Sequence, residues 1–152
     1  VGLKTIQEHS YRLVTEYLLN NHTSPVNIAL SNKGVLATID NWHSTGYGNV
    51  VTLYTKEGKV LKAHQLKDLY QPKTLKKVES IRSVSSIHWR CGGYQPWFNY
   101  GSLLVADAIG GLFIFSEADG AYSYMDNGHA KNQIGNKKFG GSVKTIGFLI
   151  YI

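Results

Sequence analysis

The densest run of side chains able to recognise a ligand is Asp40-Asn41-Trp42-His43, followed closely by Gly46-Tyr47-Gly48. Trp42 and Tyr47 offer flat faces for stacking, and Asp40 and His43 could hydrogen-bond a sugar or a peptide. The same residue types also have a structural use. An aspartate at a strand end ties down the following loop through backbone N–H groups, and a tryptophan commonly plugs the space beside a sheet. The structural use is the first expectation: Trp42 buried, and Asp40 bonded to backbone in the loop that runs to Asn49. A second run, residues 92–101, carries Tyr94, Trp97, Phe98 and Tyr100. Loops normally expose polar groups, so these aromatics read either as a lid over the core or as a recognition surface. The lid comes first of the two, and the run is the best single candidate for a contact surface. The candidate binding residues are therefore Trp42, His43, Tyr47, Tyr94, Trp97, Phe98 and Tyr100.

No catalytic set stands beside them. The six His do not fall at metal-ligand spacing, and His88 with Cys91 is a lone pair of the kind more often found in a core. No G-x-S-x-G, phosphate-binding loop, H-E-x-x-H or dinucleotide fingerprint occurs, so no metal and no cofactor are expected. Asp40 and Asp107 could serve as an acid/base pair only if the fold brought them together, and nothing in their spacing requires it. Asn21-His22-Thr23 is a glycosylation sequon, a pattern common by chance.

Charge adds a weaker signal. The formal net charge is +6, with nine Lys/Arg and three Asp/Glu between Lys56 and Arg90. That basic face could attract a polyanion; its simpler reading is a solvated surface. Nucleic acid is not expected as a partner. A single Cys91 rules out an internal disulfide, which suits a reducing cytosol or a bridge-free envelope protein. No apolar stretch is long enough for a complete transmembrane helix. A first residue other than Met leaves room for a removed leader, a processed form or a fragment.

The elements that must position these residues are short strands. Hydrophobic residues at 43%, aromatics at 12% and 16 Gly against 3 Pro suit a globular β protein rich in tight turns. Residues 26–31, 35–40, 50–55 and 59–64 form one antiparallel meander, with turns at Asn32-Lys33-Gly34 and Lys56-Glu57-Gly58. Residues 84–89, 102–107, 112–116 and 121–125 repeat it, with 91–101 as a long loop. Tyr54-Thr55-Lys56 and Phe115-Ser116-Glu117 occupy the same place ahead of Gly58 and Gly120. Between the repeats, residues 66–78 read as a helix with Pro72 suited to a helix start. Residues 11–19 alternate as a strand, 126–141 read as flexible, and 143–152 form an apolar β-prone segment.

The meander over residues 26–66, with Ser31-Asn32-Lys33-Gly34 at its first turn, resembles the blades of WD-repeat and surface-layer-type β-propellers. The run Asp40-Asn41-Trp42-His43, with Gly46-Tyr47-Gly48 and Ser83-Val84-Ser85-Ser86-Ile87-His88-Trp89, more closely resembles a group of small, usually exported bacterial proteins of unassigned function. The resemblance covers roughly residues 17–124 and implies a fold type and an exported or envelope location, but no activity. The Trp-Asp ending of WD repeats is missing, so the partner surfaces of that family do not carry over. Two meanders are too few to close a propeller and would leave open edges. The expected architecture is a single all-β domain over residues 1–152, a sandwich or open barrel with one short helix. Residues 143–152 would pair with 11–19, and self-association through open sheet edges is the rival means of closure. The expected function is a non-enzymatic binding or structural module that contacts a protein or glycan through its aromatic loops. Polyanion binding by the 56–90 face is one alternative, and an unrecognised hydrolase is the other.

Overall fold

Apolar residues at every second position give this chain two successive four-stranded antiparallel sheets, each ordered as in the sequence. The structure is a computed structural model and describes Leu13 and residues 15–126. The first sheet comprises β1 (Pro25–Leu30), β2 (Leu36–Asn41), β3 (Val51–Tyr54) and β4 (Val60–His64). Two short helices come next, α1 (Leu66–Leu69) and α2 (Pro72–Glu79). The second sheet comprises β5 (Trp97–Asn99), β6 (Ser102–Ala106), β7 (Leu112–Ser116) and β8 (Tyr122–Met125). The sheets are not closed into a barrel.

One face of each sheet supplies a common core. Ala37 and Ile39 of β2 lie across from Leu53 and Val51 of β3, and Leu103 and Val105 of β6 lie across from Phe115 and Phe113 of β7. All eight are buried in one cluster with Trp89, Val78, Leu69 and Tyr70. Burying a side chain such as Phe113 or Phe115 contributes about 1.5–3 kcal/mol, so these central strands dominate the hydrophobic stabilisation. The first strands, β1 and β5, lie in contact, and the Asn27 amide of β1 donates to Oε1 of Gln95, just before β5, at 2.6 Å. At the outer strands the His64 ring packs on Phe115 and Tyr122, and its Nε2 lies 2.8 Å from the Gly120 carbonyl. Gly120 has φ +69°, and a Cβ there would collide with Lys62 Cβ, so this crossing requires glycine.

Four expectations change. Residues 84–89 are not a strand: among the described residues they contribute only an isolated bridge from Ile87 to Arg82. The first strand of the second sheet is instead β5, drawn from the aromatic run expected to be a loop. The helix over 66–78 is interrupted at Tyr70, whose extended backbone (φ −119°) ends α1, and Pro72 opens α2 with its fixed φ. The described part of residues 11–19 is irregular rather than a strand. Tyr17 lies there against Tyr54 and within reach of Gly58, so this segment crosses the first sheet instead of pairing with it. The expected flexible stretch beyond Asp126 and the 143–152 strand lie outside the described residues.

Candidate functional site in the loop between β2 and β3

Residues 41–49 leave the buried end of β2 and return to β3, and two side chains at that strand end hold them. Asp40 is fully buried. Its Oδ1 accepts from the Gly46 N–H at 3.0 Å and from the Trp89 indole N–H at 2.7 Å. Its Oδ2 accepts from Arg90 Nε at 2.9 Å. The next residue, Asn41, donates from its amide to the carbonyls of Tyr47 and Asn49. Ile87 supports the loop from below, donating its N–H to the Thr45 carbonyl at 2.9 Å. A Cβ on Gly46, which has φ +81°, would lie 2.7 Å from the Ile87 carbonyl oxygen, so only glycine fits that approach. Asp40 is expected to bond the loop backbone, and it does.

Trp42 is expected to be buried, and it is not: it is 55% exposed. The buried tryptophan is Trp89, whose ring lies in the core against Phe113. Trp89 takes the plugging role that the sequence pattern assigns to Trp42, and Arg90 supports Asp40 in the anchoring. Trp89 supplies the ring, and Arg90 supplies a guanidinium that bonds both Asp40 and the Asn27 side-chain carbonyl (2.8 Å). Trp42 is free to sit at the surface, fixed by its own N–H on the Ser24 carbonyl and by the Thr23 hydroxyl on its carbonyl. Its ring meets that of His43 edge-on, with centroids 5.5 Å apart. Tyr47 is 44% exposed on the same loop.

The structure puts the Trp42 and His43 rings in contact and leaves Tyr47 exposed on the same loop. Phe98 packs against the core, Trp97 and Tyr94 are half-buried, and Tyr100 is 95% exposed. Tyr100 lies in the turn before β6, at the opposite end of that strand from Asp107. The 92–101 run thus divides into a small edge strand that partly covers the core and one protruding tyrosine, rather than forming one contact surface.

Asp107 closes the corresponding turn of the second sheet. Its Oδ1 accepts from the N–H groups of Ile109 and Gly111, and its Oδ2 from the hydroxyls of Tyr70 and Tyr124. Burial, reinforced by the Asp107 carboxylate, holds both phenols well above their ordinary pKa. Asp40 and Asp107 each have their own partners, so the geometry makes them two anchors rather than one acid/base pair. The sequon Asn21 is also engaged, its side-chain oxygen accepting from Thr38 and Tyr54 and its amide donating to Asn41. Arg90, counted with the basic face, is ion-paired inward, whereas Lys73, Lys76 and Lys77 of α2 are exposed.

Asp40 is identifiable as an anchor from its place before a glycine-containing loop. Trp89 and Arg90 are not, because they reach Asp40 from about fifty residues away. Among the described residues no group of His, Cys, Asp or Glu is arranged to hold a metal, and no helix is long and apolar enough to cross a membrane. Compared with protein-family models, curated proteins and solved structures, the chain matches none.

Proposed function

We propose that this protein is a non-enzymatic binding module whose contact surface is the loop of residues 41–49, with Trp42, Tyr47 and His43 meeting a glycan or protein partner. The observation that carries this reading is an exposed tryptophan on a loop whose backbone is held by buried groups. Exposed apolar side chains point to contact when they share a place, and Trp42, His43 and Tyr47 share one loop. Pre-ordering the loop also lowers the entropy lost on binding, so modest contacts can yield useful affinity. The succession of two sheets joined at their first strands supports a blade-like arrangement, and the resemblance of residues 17–124 to small exported proteins supports an exported or envelope setting.

The test is binding by Trp42→Ala and Tyr47→Ala against arrays of glycans and of defined peptides. Both variants should fold normally and lose the ligands that the unaltered protein retains, while Tyr100→Ala keeps them. Binding unchanged in Trp42→Ala would refute the loop as the contact surface. The polyanion reading keeps one supporting observation: Lys73, Lys76 and Lys77 have no ion-pair partner among the described residues. Binding through them would weaken steeply between about 50 and 200 mM salt, whereas aromatic recognition would change little.

A further inference from the structure

Within the loop of residues 41–49 the polar groups divide into two sets. Those facing inward are committed: the Asn41 amide bonds the loop's own carbonyls, and Asp40, just before the loop, is buried beneath it. The second set comprises the exposed side chains of His43 and Tyr47, the half-buried ones of Ser44, Thr45 and Asn49, and the Trp42 indole N–H. None of these has a hydrogen-bond partner among the described residues. Residues 41–49 contain no Lys, Arg, Asp or Glu. The loop thus carries an exposed indole, with the His43 ring against it, and only uncharged polar side chains, on a chain whose net charge is +6.

We infer that the ligand of this loop is a neutral saccharide. A sugar ring has one face of C–H groups, which suits the Trp42 or Tyr47 ring, and a rim of uncharged hydroxyls that both donate and accept. Imidazole, hydroxyl and amide groups match that rim without requiring a counter-charge. An acidic glycan would call for Lys or Arg beside the ring, and the loop holds neither. A protein partner would call for a larger contiguous apolar area: stable protein interfaces bury about 800 Å² per partner, beyond what two aromatic rings on a nine-residue loop supply.

This inference rests on the reading of the loop as the contact surface, and the experiment separates the two. The full chain and its Trp42→Ala, Trp42→Phe and Tyr47→Ala variants are titrated by calorimetry with neutral gluco-, manno- and N-acetylglucosamine oligosaccharides. Heparin serves as an acidic probe, and a defined peptide array is screened in parallel. The expected result is saturable binding of at least one neutral series at millimolar concentration or below. Trp42→Ala should weaken it by about tenfold or more, and Trp42→Phe should largely restore it. Salt between about 50 and 200 mM should leave it nearly unchanged. Far-UV dichroism of each variant confirms folding, and Tyr47→Ala carries the test if Trp42→Ala fails to fold. No neutral binding, or binding only to heparin with a steep salt dependence, would overturn the saccharide inference. Peptide binding lost in Trp42→Ala without any sugar binding would sink the saccharide and leave the loop reading standing. Neutral-sugar binding that survives both Trp42→Ala and Tyr47→Ala would sink both.

Discussion

Asp40 and Asp107 occupy the same place in the two sheets, but the connections they anchor differ in length. Both lie at the end of the second strand, Asp40 as the next-to-last residue of β2 and Asp107 just after β6; both are buried, and both give their own N–H to the residue that opens the return to the third strand (Val50 and Gly111). Both use a carboxylate oxygen to hold backbone N–H groups of the turn. After Asp107 the turn is three residues, 108–110, and its remaining carboxylate oxygen accepts two tyrosine hydroxyls from within the fold. After Asp40 the chain runs through nine residues, 41–49, and displays two aromatic rings to solvent. One anchor closes a turn as economically as the chain allows. The other supports six additional residues, and they form the loop proposed above as the contact surface.

Removing each anchor breaks the comparison most directly. Asp40→Ala leaves the largely buried Arg90 guanidinium unpaired, frees the Trp89 indole and puts alanine at φ +57°. Breaking a buried pair from one side costs about 3–5 kcal/mol, read as a lowered midpoint in urea unfolding. Amide exchange at Gly46 should accelerate in the same variant. Asp107→Ala leaves the buried Tyr70 hydroxyl, the partly exposed Tyr124 hydroxyl and two turn amides without their acceptor and should cost about 3 kcal/mol, with Gly46 exchange unaltered. If Asp107→Ala disturbed residues 41–49 as strongly, the two anchors would not be separate devices.

A titration distinguishes these anchors from the histidine that joins the sheets elsewhere. Burial disfavours the charged His64 ring and, outweighing the Gly120 hydrogen bond, lowers its pKa below 6.5. The unfolded chain therefore binds the proton more readily. The contribution of a neutral His64 is fully present above about pH 6.5 and is lost progressively as pH falls below it. Unfolding free energy measured from pH 7.5 down to 5 should fall in the unaltered protein. The fall should be smaller in His64→Gln, which keeps a donor for the Gly120 carbonyl.

The smallest expected effect sharpens the comparison. Trp42→Ala should change the unfolding free energy by no more than about 0.5 kcal/mol, because the ring is mostly in water. A loss of several kcal/mol would make Trp42 part of the fold and erase the contrast with the short turn.

Seven of the eight strands are legible in the sequence because apolar alternation and glycine-bearing turns act over a few residues. The eighth is not. Val84-Ser85-Ser86-Ile87-His88-Trp89 alternates like a strand, yet Ile87 and Trp89 are buried as supports for the neighbouring loop and its aspartate. The true strand, β5, is three residues long and comes directly after Pro96, too short for periodicity to mark. Trp42 and Trp89 are equivalent by residue type, and only the long-range bonds to Asp40 decide which is buried. Local pattern reveals strands and turns; it cannot reveal which distant side chain claims a buried carboxylate.

The segment from Trp89 to Cys91 bonds to the second sheet through its backbone, with the Trp89 carbonyl accepting from Ala108 and the Cys91 N–H donating to Ala106. Its side chains bond the first sheet at Asp40 and Asn27. Such a stitch removes the independence that tandem repeats usually enjoy. A polypeptide ending after His64 would hold a buried aspartate with no cation, and one beginning at Leu66 would hold a cation with no aspartate. The two halves should consequently melt as one cooperative unit, with the slowest-exchanging amides of both sheets sharing a single opening free energy.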